Sequence, residues 1–396
     1  MYQLARVNPE QWAVSVCTVD GQRFSIGDTQ TQFCLQSTCK PINYCIALEN
    51  NGIDTVHKHV GREPSGRSFN ELSLNHKGLP HNPLINAGAI MGVSLIKPEE
   101  TIADRFEYIS DTWTRLCANK KVNFNNAVYL SERGTADRNF ALAYFMREHK
   151  AFPEATDLIE TLELYFQCCS IESKTSDVAI AAATMANAGV NPLTGERIFT
   201  EKTVQHCMSL MLSCGMYDFS GEFAFNIGLP AKSGVSGALF LVVPNVLGMS
   251  IWSPRLDKLG NSVRGVEFCE RLVEKFNFHN YDSLNRNTSK KDPRRQARHS
   301  ASQNIFQLIS AASSGDLDTI KRMQAEGINL SAADYDGRTA LHLAAAENQL
   351  DVVSYLIYQG VDLQPKDRWG GTPLDDAKRG AHREMIRLLE GALMEE

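Results

Sequence analysis

"QSTCKPINYCIALENNG", residues 36–52, places Ser37 three positions before Lys40 at the head of an apolar run that stops at Asn51-Gly52. Apolar residues on most sides of that run predict a buried helix, and Asn-Gly is a helix stop. Residues three apart share a helix face, which puts Ser37 and Lys40 within reach of each other in the first turn. A serine hydroxyl is hardly ionised at neutral pH and becomes a nucleophile only beside a base. Burial disfavours an ammonium, lowers its pKa and fits a lysine for that task. Free N–H groups at the helix start would also favour a developing oxyanion. The plain alternative is a capping serine next to a lysine with a buried stem.

The spacing recurs in "SLIKP", residues 94–98. This copy closes the apolar segment "NAGAIMGVSLI" and precedes Pro98-Glu99-Glu100, which opens a new helix. Lys97 then reads as an exposed cation at a helix C-terminus, favourable for the dipole, and the pair reads as structural.

A distant segment separates the two copies. "LPAKSGVSGALFLVVP", residues 229–244, sets Lys232-Ser233-Gly234 directly before a strong strand. S-x-x-K opening a buried helix, followed much later by K-[ST]-G on a strand, resembles the serine hydrolases related to β-lactamases and penicillin-binding proteins. In those proteins the strand edges the active site and supplies a second backbone N–H, here that of Val235. Taken alone, Gly234 and Gly237 would mark only a bulge or a close approach.

The remaining pattern fits an α+β fold. "WAVSVCTVDGQRFSIGD" (12–28) holds two β-rich runs around Asp20-Gly21, a hairpin signal. "GALFLVVPNVLGMSIW" forms a second strand pair around Pro244-Asn245. Between them lie helical stretches such as "ATDLIETLELYFQCCS" and "SDVAIAAATMANAG", the latter ending at Gly189. Strands at both ends and helices between predict one antiparallel sheet over residues 1–282, with a helical subdomain packed against it.

Residues 283–302, "SLNRNTSKKDPRRQARHSAS", carry six basic residues, one acid and almost no apolar side chain, and read as a linker. Residues 303–396 repeat internally. Gly327 and Gly360, Asp334 and Asp367, Gly337 and Gly370, and Thr339 and Thr372 are each 33 residues apart. With T-A-L-H and T-P-L-D at helix starts, the period resembles the ankyrin repeat, an all-α array with Thr339 and Thr372 as helix caps. Such arrays bind proteins, so a protein partner is expected, with an end-cap or spacer role as the alternative.

Composition excludes several classes. The net charge of −6 gives no reason to expect nucleic-acid binding. The longest apolar stretch is broken by Pro244, Asn245 and Gly248, so no membrane insertion is expected. Ten cysteines all precede residue 270 without a paired C-x-x-C set, which reads as buried thiols rather than a zinc site or disulfides. No cofactor and no metal are expected. The N-terminal "MYQLARVNPEQW" shows neither a secretory nor a transit pattern.

Five segments narrow the resemblance: "LQSTCKP", "PHNPLINAGAI", "SERGTADRNFA", "SCGMYDFSGEFAF" and "GLPAKSGVSG". They look like the serine-dependent glutaminases, and the animal phosphate-activated branch also carries C-terminal ankyrin repeats. The resemblance implies hydrolysis of L-glutamine to glutamate and ammonia, with Ser37 as nucleophile and Lys40 as base. It also implies an oxyanion hole from the N–H groups of Ser37 and Val235, and Tyr217 as proton relay. Gln36, Asn86, Glu132, Asn139 and Tyr165, together with Tyr217 and Val235, would contact the substrate. Glu132 suits an α-ammonium and the amides suit an α-carboxylate.

Each has a plainer reading: a solvated Glu132, an Asn86 that turns the backbone, and tyrosines in the core. The family's tyrosine before the "QLA" segment does not match Tyr2 in spacing. The resemblance further implies inorganic phosphate as activator, a homotetramer built as a dimer of dimers with filaments left open, and a mitochondrial location. Phe69, Leu72 and Leu74, in the polar loop "GREPSGRSFNELSLNHKGLP" (61–80), would be interface contacts, or else anchors on their own core. The competing readings are a β-lactam or peptide hydrolase and an inactive ankyrin scaffold.

Overall fold

Two tight turns organise the main sheet of the chain, whose computed structural model describes residues 3–66, 70–284, 289–293, 301–325 and 328–395. In chain order the strands are β1 (Ala13–Thr18), β2 (Arg23–Gly27), β3 (Gln32–Cys34), β4 (Asn123–Phe124), β5 (Ile171–Lys174), β6 (Ala231–Ser233), β7 (Ala238–Val243) and β8 (Leu247–Trp252). Gly21, at φ 88°, reverses the chain between β1 and β2, and Asn245, at φ 62°, does so between β7 and β8. Both positions need the left-handed region that glycine and asparagine tolerate best.

The main sheet runs β2-β1-β8-β7-β6, antiparallel at every pairing. Ala13 opposes Trp252, so a strand near the N-terminus lies beside one from the end of the first unit, as the sequence implied. β7 and β8 are buried along their whole length because both faces are covered. Leu239, Leu241 and Val243 face the core that contains Cys269, Leu272 and Val273 of the Val263–Lys275 helix. Ala238, Phe240 and Val242 turn to the opposite core. Period-two alternation between two cores explains why the sequence shows an unbroken apolar run.

The second face is covered by the Thr175–Ala186 helix, which packs on β1 and β8. Its alanines let it lie close. A Cβ on Gly248 would come within 2.0 Å of the Ala183 nitrogen, so only glycine fits under the helix. A second, small sheet, β3-β5-β4, was not anticipated. Strands of two to four residues carry too little periodicity to register in a sequence.

The chain divides into two compact units, Met1–Asp282 and Ser283–Glu396. In the second unit helices Ala340–Ala346 and Leu350–Tyr358, then Pro373–Arg379 and Arg383–Glu395, follow the 33-residue period, preceded by Ala301–Ser314 and Leu317–Ala325. Asp367 Oδ1 accepts from the N–H groups of Trp369 and Gly371, and Asp334 Oδ1 does the same for Asp336 and Arg338. Thr372 Oγ1 caps the Asp375 N–H, and Thr339 forms a reciprocal capping box with His342. Neighbouring repeats join where His342 Nε2 meets the Gly371 carbonyl and His382 Nε2 meets that of Ala346. Of the linker 283–302, residues 285–288 and 294–300 lie outside the described residues, as do Tyr2, Phe69 and Gly327. Among the described residues no helix is long and apolar enough to cross a membrane.

Candidate active site

The chain leaves β3 at Cys34 and must bend sharply to begin the Lys40–Asn51 helix. Leu35 is still tied to the Ile171 carbonyl, while Gln36 adopts φ 48° and a 3-10 turn spans Gln36–Cys39. Ser37 therefore sits in a 3-10 turn before the helix rather than in the α-helix itself. The functional consequence is small, because residues three apart eclipse in a 3-10 turn. Both members of the pair are buried, Ser37 at 8% exposure and Lys40 at 1%.

Lys40 Nζ donates to Asn86 Oδ1 at 2.7 Å. Asn86 Nδ2 in turn donates to Asn139 Oδ1 at 3.0 Å, and the Tyr165 hydroxyl reaches Asn86 Oδ1 at 3.4 Å. Local structure fixes these residues in place. Asn82 Oδ1 accepts from the N–H groups of Leu84 and Ile85, which sets the start of the Asn86–Ser94 helix at Asn86. Asn139 stands in the first turn of the Asp137–Glu148 helix, and Tyr165 projects from the Leu158–Cys169 helix, which Asp157 caps.

Glu132 stands in the last turn of the Asn126–Arg133 helix and is buried, contrary to its solvated alternative. Gln36 Nε2 donates to Glu132 Oε2 at 3.2 Å and to the Cys169 carbonyl at 3.1 Å. Burial pushes the Glu132 carboxyl up to about 7, opposed by the Gln36 hydrogen bond and the positive charge of Lys40. Burial also lowers the Lys40 ammonium to about 8, with the thiols of Cys169 and Cys39 and the Glu132 carboxyl working the other way. A lysine with that pKa is neutral in an appreciable fraction of molecules near neutral pH.

Tyr217 opens a short 3-10 turn after the Glu201–Cys214 helix and adopts φ 54°. Ser220 Oγ holds the turn, donating to the Tyr217 carbonyl and accepting from the Met216 N–H. Burial raises the Tyr217 phenol, and its hydrogen bond with the Ser37 side chain lowers it. Two non-glycine residues in left-handed backbone, Gln36 and Tyr217, thus flank the serine. Such strained positions cluster at functional sites.

β6 brings the last element in. A Cβ on Gly234 would lie 3.0 Å from the Leu35 carbonyl and 3.2 Å from Thr38 Cγ2, so the K-S-G backbone rests on the Ser37 turn. Gly234 N donates to the Ala238 carbonyl and Gly237 N to that of Gly234, leaving half-buried Val235 at the tip of the turn. The Gly237 conformation, φ 87° against the Ser253 carbonyl, is also structural. A cleft of about 420 Å³ lined by Pro64, Ser65, Asn82, Ile85, Cys214 and Tyr217 opens beside the tyrosine.

The structure therefore gathers three hydrogen-bonded sets: Gln36 with Glu132, Lys40 with Asn86, Asn139 and Tyr165, and Ser37 with Tyr217; Val235 stands on the turn that adjoins Ser37. The twin pair does not join it. Ser94 Oγ donates to the Met91 carbonyl, while Lys97 pairs with Glu100 at 2.9 Å and lies over the Tyr108 ring. Leu74 packs against the domain core and Leu72 is 41% exposed. Sequence reasoning missed the inward course of Lys232 and the contact of Gln36 with the Cys169 carbonyl. The first was signalled only by the K-S-G motif, which gives no side-chain direction, and the second by nothing local. All ten cysteines are buried and unbridged.

The glutaminase family model matches residues 1–281, and an ankyrin repeat model of three copies matches residues 308–393. The chain is similar to the Rattus norvegicus protein named glutaminase liver isoform, mitochondrial, at 50% identity over 389 residues, which covers 98% of this chain and 64% of that one. It is 41% identical to a Nostoc glutaminase over 283 residues, 71% of this chain and 84% of the other. Among solved structures, a Bacillus glutaminase determined in the presence of 4.3 M NaCl matches with a TM-score of 0.66 at 33% identity, covering 70% of this chain and 95% of that one. The chain spans about 64% of the length of the liver-type relatives it matches.

Proposed function

The chain belongs to the glutaminase family, and we propose that it hydrolyses L-glutamine to L-glutamate and ammonia through a Ser37 acyl-enzyme. Ser37 Oγ attacks the side-chain carboxamide carbon and gives its proton to Lys40. The oxyanion is held by the N–H groups of Ser37 and Val235. Collapse breaks the C–N bond, and Tyr217 passes a proton to the departing ammonia. Water then attacks the ester carbon, its proton returning through the same groups, and glutamate leaves with Ser37 restored.

Glu132 receives the α-ammonium, and Gln36, Asn86, Asn139 and Tyr165 supply hydrogen bonds around the amino-acid head. The observation that carries this reading is the burial of Lys40 on the Asn86 amide oxygen. Among the described residues it forms no ion pair that would keep it charged. Activation by inorganic phosphate, a homotetramer, a mitochondrial location and a protein partner for the ankyrin repeats belong to the same proposal. The name of the rat relative supports the location and the repeats support a partner.

Ammonia release from L-glutamine and L-asparagine, with and without phosphate, tests it. The parent is expected to release ammonia from glutamine, and Ser37→Ala to lose about 10³-fold or more in kcat. Full turnover in Ser37→Ala would sink the mechanism. Ser94→Ala is expected to keep turnover within about twofold, since its hydroxyl bonds the carbonyl and sulfur of Met91 and none of the site residues.

A further inference from the structure

Lys232 is the one member of the K-S-G motif with no assigned task and a long charged side chain. It is wholly buried, so it touches no solvent and reaches no open cleft. Its Nζ donates to the Ser233 carbonyl at 2.7 Å and to the Gly215 carbonyl at 3.0 Å. It also lies 4.3 Å from the centroid of the Tyr217 ring, a cation–π distance. Among the described residues it enters no ion pair. Burial, helped by the nearby positive charge of Lys40, pushes the Lys232 pKa down, and an amine buried against only two neutral carbonyls and a ring is a costly arrangement that packing alone does not explain.

The contacts converge on one turn. The Gly215 carbonyl accepts from the Ser233 N–H at 3.2 Å as well as from Lys232, so β6 is stitched to the segment that leads into Tyr217. A Cβ on Gly215 would fall 1.8 Å from the Ala231 carbonyl, so the two backbones touch. Gly260 lies against the Tyr217 ring, a Cβ there falling 3.6 Å from Cε2. Tyr217, in left-handed backbone, needs such surroundings to hold it.

We propose that Lys232 is a positioning residue for the proton relay, its Nζ donating to the Gly215 carbonyl and lying on one face of the Tyr217 ring so that the phenol stays on Ser37. The proposal rests on reading Tyr217 as the relay. It predicts that Lys232 acts on the chemical step through Tyr217, with no contact to Glu132 or Asn86.

The test is a double-mutant cycle on the full chain with Lys232→Met, Tyr217→Phe and both together, reading kcat, KM and thermal midpoint. Lys232→Met is expected to lower kcat by about 100-fold with KM within about threefold, the scale of a misplaced acid–base group. In the Tyr217→Phe background the same change is expected to cost less than about threefold more, because the two act as a unit. A Lys232→Met protein with kcat within threefold of the parent, or losses that multiply in the double variant, would overturn the proposal. If Lys232→Met does not fold, the cycle is run with Lys232→Gln, which keeps a donor for the carbonyls without the charge. Failure of both to fold counts against the proposal, since Lys232 would then be a folding residue. Tyr217→Phe with unchanged kcat defeats the relay reading itself, whereas an inactive Tyr217→Phe beside an active Lys232→Met defeats only the role of Lys232.

Discussion

Two buried charges of opposite sign, Lys40 and Glu132, sit beside the Ser37 turn, and each is pushed by desolvation toward its neutral form. If Lys40 is the base, kcat rises with pH through about 8 and falls up to tenfold per unit below it, a profile that initial rates at saturating glutamine would reveal. If Glu132 receives the α-ammonium, KM rises as pH drops below about 7, where the carboxyl protonates. Stability follows the same pKa values. The Lys40 pKa is lower in the fold than the ordinary 10.5, so the unfolded chain binds more protons between pH 8 and 10.5 and stability rises with pH across that window. The Glu132 pKa is higher than the ordinary 4.5, so the fold binds more protons between pH 4.5 and 7 and stability falls as pH rises there. Lys40→Met is expected to reduce the first slope and Glu132→Gln to make the second less negative in denaturation midpoints measured across pH. Slopes unchanged in both variants would show that neither group titrates as described.

The Gln36–Cys39 turn and β6 depend on each other, and Gly234 is where they meet. Gly234→Ala sets a Cβ 3.0 Å from the Leu35 carbonyl, and a few tenths of an ångström of separation follow. The expected result is a kcat loss of about tenfold with a stability loss of about 1 kcal/mol, since a small misplacement is felt most in the reacting geometry. A thermal melt beside steady-state kinetics would separate the two, and a large melting shift with normal kcat would refute the coupling. The Asp20-Gly21 hairpin, the helix stopped at Asn51-Gly52 and the β7–β8 pair could be read directly, because turn chemistry and apolar runs are local. The 3-10 turn at Ser37 and the β3-β5-β4 sheet could not, because both arise from where Leu35 is tied across the chain to Ile171. The twin pairs show the same division. Ser94 and Lys97 match the spacing, but only the fold shows one bonded to Met91 and the other to Glu100.

Each compact unit carries its own core, the hydrolase-like one around the main sheet and the repeat one around residues such as Leu308, Ala344, Val353 and Leu389. The active-site candidates all lie in the first. Asp367→Ala removes the acceptor for two backbone N–H groups in the second and is expected to cost about 2 kcal/mol there. Circular dichroism melts would detect that loss, while kcat with glutamine is expected to stay near the parent value. A parallel collapse of turnover would mean that the repeats support the site. By itself the sequence determined the α+β class, the 33-residue repeat, the sheet built from the two ends of the first unit and the residue types of the candidate site. These depend on periodicity, turn residues and motif spacing, which are local or recurrent. Only the tertiary structure decided which serine–lysine pair is buried, that Glu132 is desolvated, that Gln36 and Tyr217 hold left-handed backbone, and that Lys232 points inward at a ring. Those properties depend on which distant segments exclude water from a side chain, and no local pattern encodes that.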